Sequence, residues 1–85
     1  RHPAVQEVAI VGWPDERWGE VPHAFVVKKP GESITESDLR EFARAHLAHF
    51  KVPSHFTFLF ELPKTATGKI QKYVLRERRS AVSQQ

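Results

Sequence analysis

Between Leu62 and Lys72 the chain reads LPKTATGKIQK, a stretch that sets three lysines, Lys64, Lys69 and Lys72, around a single glycine. Gly68 can take a positive φ without the penalty a Cβ would bring, so it is the natural place for the backbone to turn sharply. A sharp turn fixes the direction of the next side chain, and that side chain is Lys69. A long ammonium on a well-determined turn can deliver a point charge to an anion as it develops in a reaction. Thr65 and Thr67 flank the turn and are candidates to support it. On spacing alone, a lysine after a turn glycine is more often a solvated surface charge. The stretch is also not a phosphate-binding P-loop, which needs G-x-x-x-x-G-K-[ST]; here there is one glycine, and Ile70 follows the lysine.

The elements around this loop follow from hydrophobic periodicity. The 85 residues suffice for one small domain, and a domain of this size buries roughly 60–65% of its unfolded surface. Val8 to Val11 is a continuous apolar run, which predicts a strand buried on both faces. Trp13 to Glu20 reads as a loop punctuated by Pro14, Asp15 and Gly19. His23 to Lys28 predicts a second strand, with Pro22 at its tolerated first position. Thr35 is a candidate N-cap with Asp38 three residues on, and Ile34 and Leu39 sit at the positions of a hydrophobic staple. Leu39, Phe42, Ala43, His46, Leu47 and Phe50 then follow a helical rhythm, so Glu36–Ala48 should pack on the sheet and turn Arg40, Glu41 and Arg44 outward. Phe56 to Leu62 alternates and predicts a third strand with Phe56, Phe58 and Phe60 on one face. A short helix should run from about Lys72 to Arg79, followed by a polar tail over 80–85. The order β-β-α-β-α predicts an α+β domain, a small three-stranded sheet covered by helices. Strand order does not follow from the pattern.

Composition narrows the function classes. Without cysteine there are neither disulfides nor thiolate metal sites, which fits a reducing, cytoplasmic setting. Thirteen basic against ten acidic residues leave a net charge of +3, which is not a nucleic-acid-binding signature by itself. No apolar run is long enough for a transmembrane segment. The five histidines show no dependable metal spacing: His46 and His49 stand three apart on a helix, with no third ligand in view. Arg1-His2-Pro3 carries no start methionine, and the apolar pattern begins at once, so the chain reads as a fragment of something longer.

Taken together, the motifs resemble the C-terminal domain of the adenylate-forming superfamily, which contains acyl-CoA synthetases, peptide-synthetase adenylation domains and luciferases. His2-Pro3-Ala4-Val5 looks like the family's HPxV. Val11-Gly12 through Asp15 and Gly19-Glu20-Val21-Pro22 look like VGxPDxxxGExP. Phe50-Lys51-Val52-Pro53 looks like FKxP, and Leu62 to Ile70 looks like LPKTxTGKI. These motifs cover nearly the whole chain in the right order, and they are closest to the CoA ligases. The resemblance implies that the parent enzyme activates a carboxylic acid, a fatty acid in the first instance, with ATP and Mg²⁺ to an acyl-adenylate, and then transfers the acyl group to CoA. It implies that Lys69 is the catalytic lysine of the first half-reaction. A large N-terminal domain of the same enzyme would be the partner, holding the ATP site and the acyl pocket, while the small domain moves between two orientations. The nucleotide loops and the hinge ahead of HPxV are not in these residues, so the chain alone is expected to be inactive.

The resemblance further implies a CoA-binding patch at Trp18, Phe50 and Lys51, in which an aromatic ring stacks on the adenine and the lysine pairs with a phosphate. Packing against the sheet for Trp18, and a helix-end phenylalanine beside a solvated lysine for the others, are the structural alternatives. Two other functions compete with the CoA ligase. One is an adenylation domain that loads a carrier protein. The other is a non-catalytic binding module with a basic surface.

Overall fold

A computed structural model describes residues 2–48 and 51–83, with side chains through Glu77 in the last helix. The chain runs β1 (Val5–Asp15), β2 (Gly19–Lys28), α1 (Glu36–His46), β3 (His55–Phe58) and α2 (Lys72–Ser83). The architecture is the α+β one expected from the pattern, three strands with two helices. The sheet order is β1-β2-β3. β1 and β2 form an antiparallel hairpin, and β3 adds parallel to β2 after the crossover through α1.

The hairpin is longer than the sequence suggested. Most of Trp13 to Glu20, expected as a loop, is strand: Gly12 pairs with Pro22, Trp13 with Val21, and Asp15 with Gly19. The turn is compressed into Glu16, Arg17 and Trp18. Asp15 makes this possible, because its Oδ2 accepts from the backbone N–H of Arg17 (3.1 Å) and of Trp18 (2.8 Å), an Asx-type closure. Gly19 completes the turn at φ 81°. The Pro-Asp and Gly punctuation therefore marks a tight reversal.

β1 also corrects the expectation of a strand buried on both faces. Ala9 and Val11 are buried, whereas Val8 and Ile10 are each 40% exposed. The reason is that β1 is an edge strand, whereas β2 is central and buries His23 through Val27 without a break.

The two faces of the sheet carry two apolar clusters. On one, Ala9, Val11, Phe25 and Val27 pack with Leu62 and Leu75. On the other, Ala24 and Val26 pack with Ala4, Ile34 and Leu39, joined by Phe56 and Phe58. The N-terminus of α1 is built as its sequence indicates. Thr35 Oγ1 accepts from the Asp38 N–H (3.1 Å), and Asp38 Oδ2 accepts from the Thr35 N–H (3.0 Å), a reciprocal capping box. Those hydrogen bonds hold the Asp38 carboxyl below its ordinary pKa. The staple residues Ile34 and Leu39 are buried in one cluster.

Four further details differ from expectation. α1 ends at His46, so Leu47 is its C-cap and is exposed, not packed on the sheet. Arg40, expected outward, donates to the Ser54 carbonyl (2.9 Å) and to Glu36 (2.8 Å), tying α1 to the segment that enters β3. β3 ends at Phe58, and Phe60 stands fully in solvent, because the strand's alternation outlasts its pairing with β2. α2 continues past Arg79 to Ser83.

Candidate functional site

The Lys69 loop is a small hairpin with its base in the core and its tip in water. Leu62 at its start is buried, and Ile70 at its end packs against the same cluster. Lys64 and Ile70 form an antiparallel bridge, and the Gln71 N–H donates to the Pro63 carbonyl (2.9 Å). Further out, the Thr65 N–H donates to the Lys69 carbonyl (2.8 Å) and the Gly68 N–H donates to the Thr65 carbonyl (2.9 Å). Gly68 adopts φ 89°, and a Cβ placed there would meet no atom within 4 Å. Its role is therefore conformational, the left-handed residue that closes a three-residue hairpin loop.

Both threonines bond within the loop. Thr65 Oγ1 accepts from the Lys69 N–H (3.1 Å) and lies 3.0 Å from Thr67 Oγ1. Thr65 thus holds the backbone of Lys69 twice, through its own amide and through its hydroxyl. Lys69 is exposed, and among the described residues its ammonium makes no ion pair. The neighbouring lysines differ. Lys64 is ion-paired to Glu7 on β1. Lys72 opens α2 in an exposed position. Lys69 thus combines a backbone held by Thr65 and Gly68 with an ammonium that makes no ion pair among the described residues, in contrast to Lys64.

Of the three residues expected to form a CoA patch, the structure describes Trp18 and Lys51. Trp18 is 69% exposed at the tip of the β1–β2 hairpin, where the Arg17 guanidinium lies 5.0 Å from its ring centroid. Lys51 is exposed, in a turn where its N–H donates to the Ala48 carbonyl (2.8 Å). The Ser54 N–H donates to the Pro22 carbonyl (2.9 Å), and His55 pairs with His23. The segment that contains Lys51 therefore approaches the start of β2, the end of the sheet that also carries Trp18. Phe50 lies outside the described residues. The base of the Lys69 loop is anchored elsewhere, at Glu7 near the start of β1. At ~3.3 Å per residue, that is more than 20 Å along the strand from the hairpin tip.

Two features were not legible as sites in the sequence. Gly12 is one: a Cβ there would come within 2.2–2.5 Å of the Glu20 carboxyl group, so the glycine gives Glu20 room to lie across the strand. The signal was the pairing of VG with GE in one motif. The other is His23, which is 5% exposed. Its Nε2 is 2.7 Å from Thr57 Oγ1, its ring stacks on Trp13 at 4.0 Å between centroids, and His55 lies at 5.6 Å. Burial, reinforced by the charge of His55 and opposed by Glu36, lowers its pKa from 6.5 to about 4. A histidine inside an apolar run gives no sequence sign of which way it points. His46 is bound locally, with Nδ1 2.8 Å from the Phe42 carbonyl, and His49 lies outside the described residues. Among the described residues no group of three His, Asp or Glu side chains is placed to hold a metal, and no helix is long and apolar enough to cross a membrane.

Comparison with known proteins matches this arrangement to one family. The family model for the AMP-binding enzyme C-terminal domain matches residues 1–69. The chain is 54% identical over 78 residues to a probable CoA ligase of Humulus lupulus, CCL11, across 89% of this chain and 14% of that protein. It is 47% identical over 77 residues to the fatty acid–[acyl-carrier-protein] ligase ScoC of Streptomyces coeruleorubidus, across 91% of this chain and 15% of that one. The fold superposes on a Mycobacterium tuberculosis fatty acyl CoA synthetase with a TM-score of 0.87 and 43% identity, covering 95% of this chain and 16% of that structure. The chain thus spans about a sixth or less of the length of each of these three proteins, and it belongs to the AMP-binding enzyme C-terminal domain family.

Proposed function

We propose that this domain serves an ATP-dependent acyl-CoA ligase and that Lys69 is its catalytic residue. In the first half-reaction a carboxylate oxygen attacks the α-phosphate of ATP, and pyrophosphate leaves with the electrons of the broken P–O bond. Two anions must approach one another, and a cation held at the point of approach relieves the repulsion. The observation that carries the reading is the contrast within one basic stretch: Lys69 is fixed by Thr65 and Gly68 and free of ion pairs among the described residues, while Lys64 is committed to Glu7. The acyl group then passes to the thiol of CoA, with Trp18, Phe50 and Lys51 as the contact surface on this domain. Mg²⁺ and the nucleotide would be held by the N-terminal domain of the longer enzyme.

A fatty acid is the proposed acyl substrate, supported by similarity to a fatty acyl CoA synthetase and a fatty acid ligase. The acyl pocket itself lies outside this chain. The ScoC similarity supports a second reading, in which the acceptor is the thiol of an acyl carrier protein. Thioester formation by the whole enzyme with CoA and with a carrier protein as rival acceptors separates the two. A reducing compartment, the cytoplasm, is proposed from the cysteine-free composition.

The test of the Lys69 role is a pair of half-reactions in the whole enzyme. Lys69→Ala should slow adenylation by at least ~10², the cost of removing one preorganised charge. Thioester formation from a supplied acyl-adenylate should survive. Lys72→Ala is the cleaner control, because Lys64→Ala also removes the ion pair with Glu7. Equal loss in both half-reactions, or equal damage from Lys72→Ala, would show that the loop acts through folding or general electrostatics instead.

A further inference from the structure

An irregularity near the start of β1 decides which way Glu7 faces. Register pairs Val5 with Lys28 and Glu7 with Val27, so two steps along β1 match one step along β2. Gln6 is the extra residue of a β-bulge. In a regular strand, side chains two apart share a face. Here they do not. Val5 packs on the cluster beneath α1, with Ala4, Ala24 and Val26. Glu7 lies opposite Val27, and directly paired residues share a face. Val27 belongs to the other cluster, with Leu62 and Leu75. The bulge therefore turns the Glu7 carboxylate from the α1 side to the side on which the Lys69 hairpin is rooted.

There Glu7 Oε2 accepts from the Lys64 ammonium, a partner 57 positions away in the chain. Lys64 occupies a sensitive place in the hairpin. It forms the antiparallel bridge with Ile70. It also directly precedes Thr65, whose N–H donates to the Lys69 carbonyl (2.8 Å) and whose hydroxyl accepts from the Lys69 N–H (3.1 Å). Leu62 and Ile70 root the hairpin by apolar packing, which is not directional. The ion pair adds a directed contact from the loop to β1, on the rail that carries Thr65. With side chains 36% and 27% exposed, the pair adds little to global stability. Its effect is geometric, and rates are sensitive to a charge displaced by about 1 Å.

We propose that Glu7 is a positioning residue for adenylation: through Lys64 it sets how the Lys69 hairpin stands on the sheet, and the bulge at Gln6 aims it there. The proposal rests on the Lys69 assignment and deepens it.

Glu7→Gln, Lys64→Ala and the two together are made in the full-length enzyme, each with Lys69 intact and with Lys69→Ala. ATP–pyrophosphate exchange reads adenylation, and thioester formation from a supplied acyl-adenylate reads the second half-reaction. Glu7→Gln should slow exchange ~5-fold, the upper end for a partly exposed ion pair. KM for ATP and thioester formation should stay within about 2-fold. Glu7→Gln should add nothing to Lys64→Ala or to Lys69→Ala, because the three residues act in series. The reversed pair, Glu7→Lys with Lys64→Glu, should regain most of the exchange lost by either reversal alone. A loss of exchange below about 2-fold for Glu7→Gln overturns the proposal, as does equal loss in both half-reactions, the mark of a merely structural role. Additive losses, or no recovery in the reversed pair, overturn it as well. Lys69→Ala alone reports on the underlying assignment: a large loss there beside a silent Glu7→Gln removes only the role of Glu7, whereas a silent Lys69→Ala removes the assignment itself.

Discussion

Neighbouring residues of one type separate here by what the backbone does to them. Lys69 and Lys64 differ in chemistry because a turn exposes one while an ion pair holds the other. His23 and His46 differ in the same way: one is buried between Trp13 and Thr57, the other bonded to its own helix. Burial of His23 has a consequence for stability. Its pKa is about 4 when folded, against an ordinary value of 6.5 for a solvated imidazole, so the unfolded chain takes up the proton first. Stability is fully present above pH 6.5, falls as the pH drops towards 4, and levels off below that. By pH 5 the loss from this group is about 2 kcal/mol. Urea midpoints at pH 7 and pH 5 measure it, and His23→Gln should flatten the difference; an unchanged slope would assign it to other groups. None of this was legible in HAFVVK, where nothing distinguishes a buried neutral imidazole from a solvated one.

At the scale of elements, the sequence was most informative where local chemistry determines structure. The Thr35–Asp38 box, the Ile34–Leu39 staple and the glycine of the Lys69 turn are local devices, and each is present. Expectations failed where a distant partner decides. Pairing between β1 and β2 drew Trp13 and Glu20 into a hairpin, edge position bared Val8 and Ile10, and the Ser54 carbonyl engaged Arg40. The proposed CoA patch belongs to this scale, because it depends on two turns meeting at one end of the sheet. Trp18→Ala and Lys51→Ala in the whole enzyme should each raise KM for CoA several-fold, about 1 kcal/mol of cation–π or phosphate contact, with adenylation nearly intact. CoA kinetics unchanged in both variants would leave Trp18 as an exposed ring without that role.

For the molecule as a whole, the matched proteins are about six times longer or more, and the proposed chemistry needs parts that this chain does not supply. The purified 85-residue chain should not catalyse ATP–pyrophosphate exchange with any carboxylic acid. Robust exchange would move the nucleotide site onto these residues and overturn the proposed division of labour.

The mixed sheet also orders events in time. The β1–β2 hairpin closes through a turn of three residues, whereas the parallel β2–β3 pairing must first gather everything between Lys28 and His55. Closing the longer loop costs more entropy before any contact repays it. Pulse-labelled hydrogen exchange during refolding should therefore protect the amides of Val8–Val11 before those of Phe56–Phe58; simultaneous protection would mean that α1 and β3 dock with the hairpin in one step. The Lys69 loop follows β3 in the chain and bonds its base to β1, so the residue proposed to do the chemistry would settle only after the long closure that brings β3 to β2.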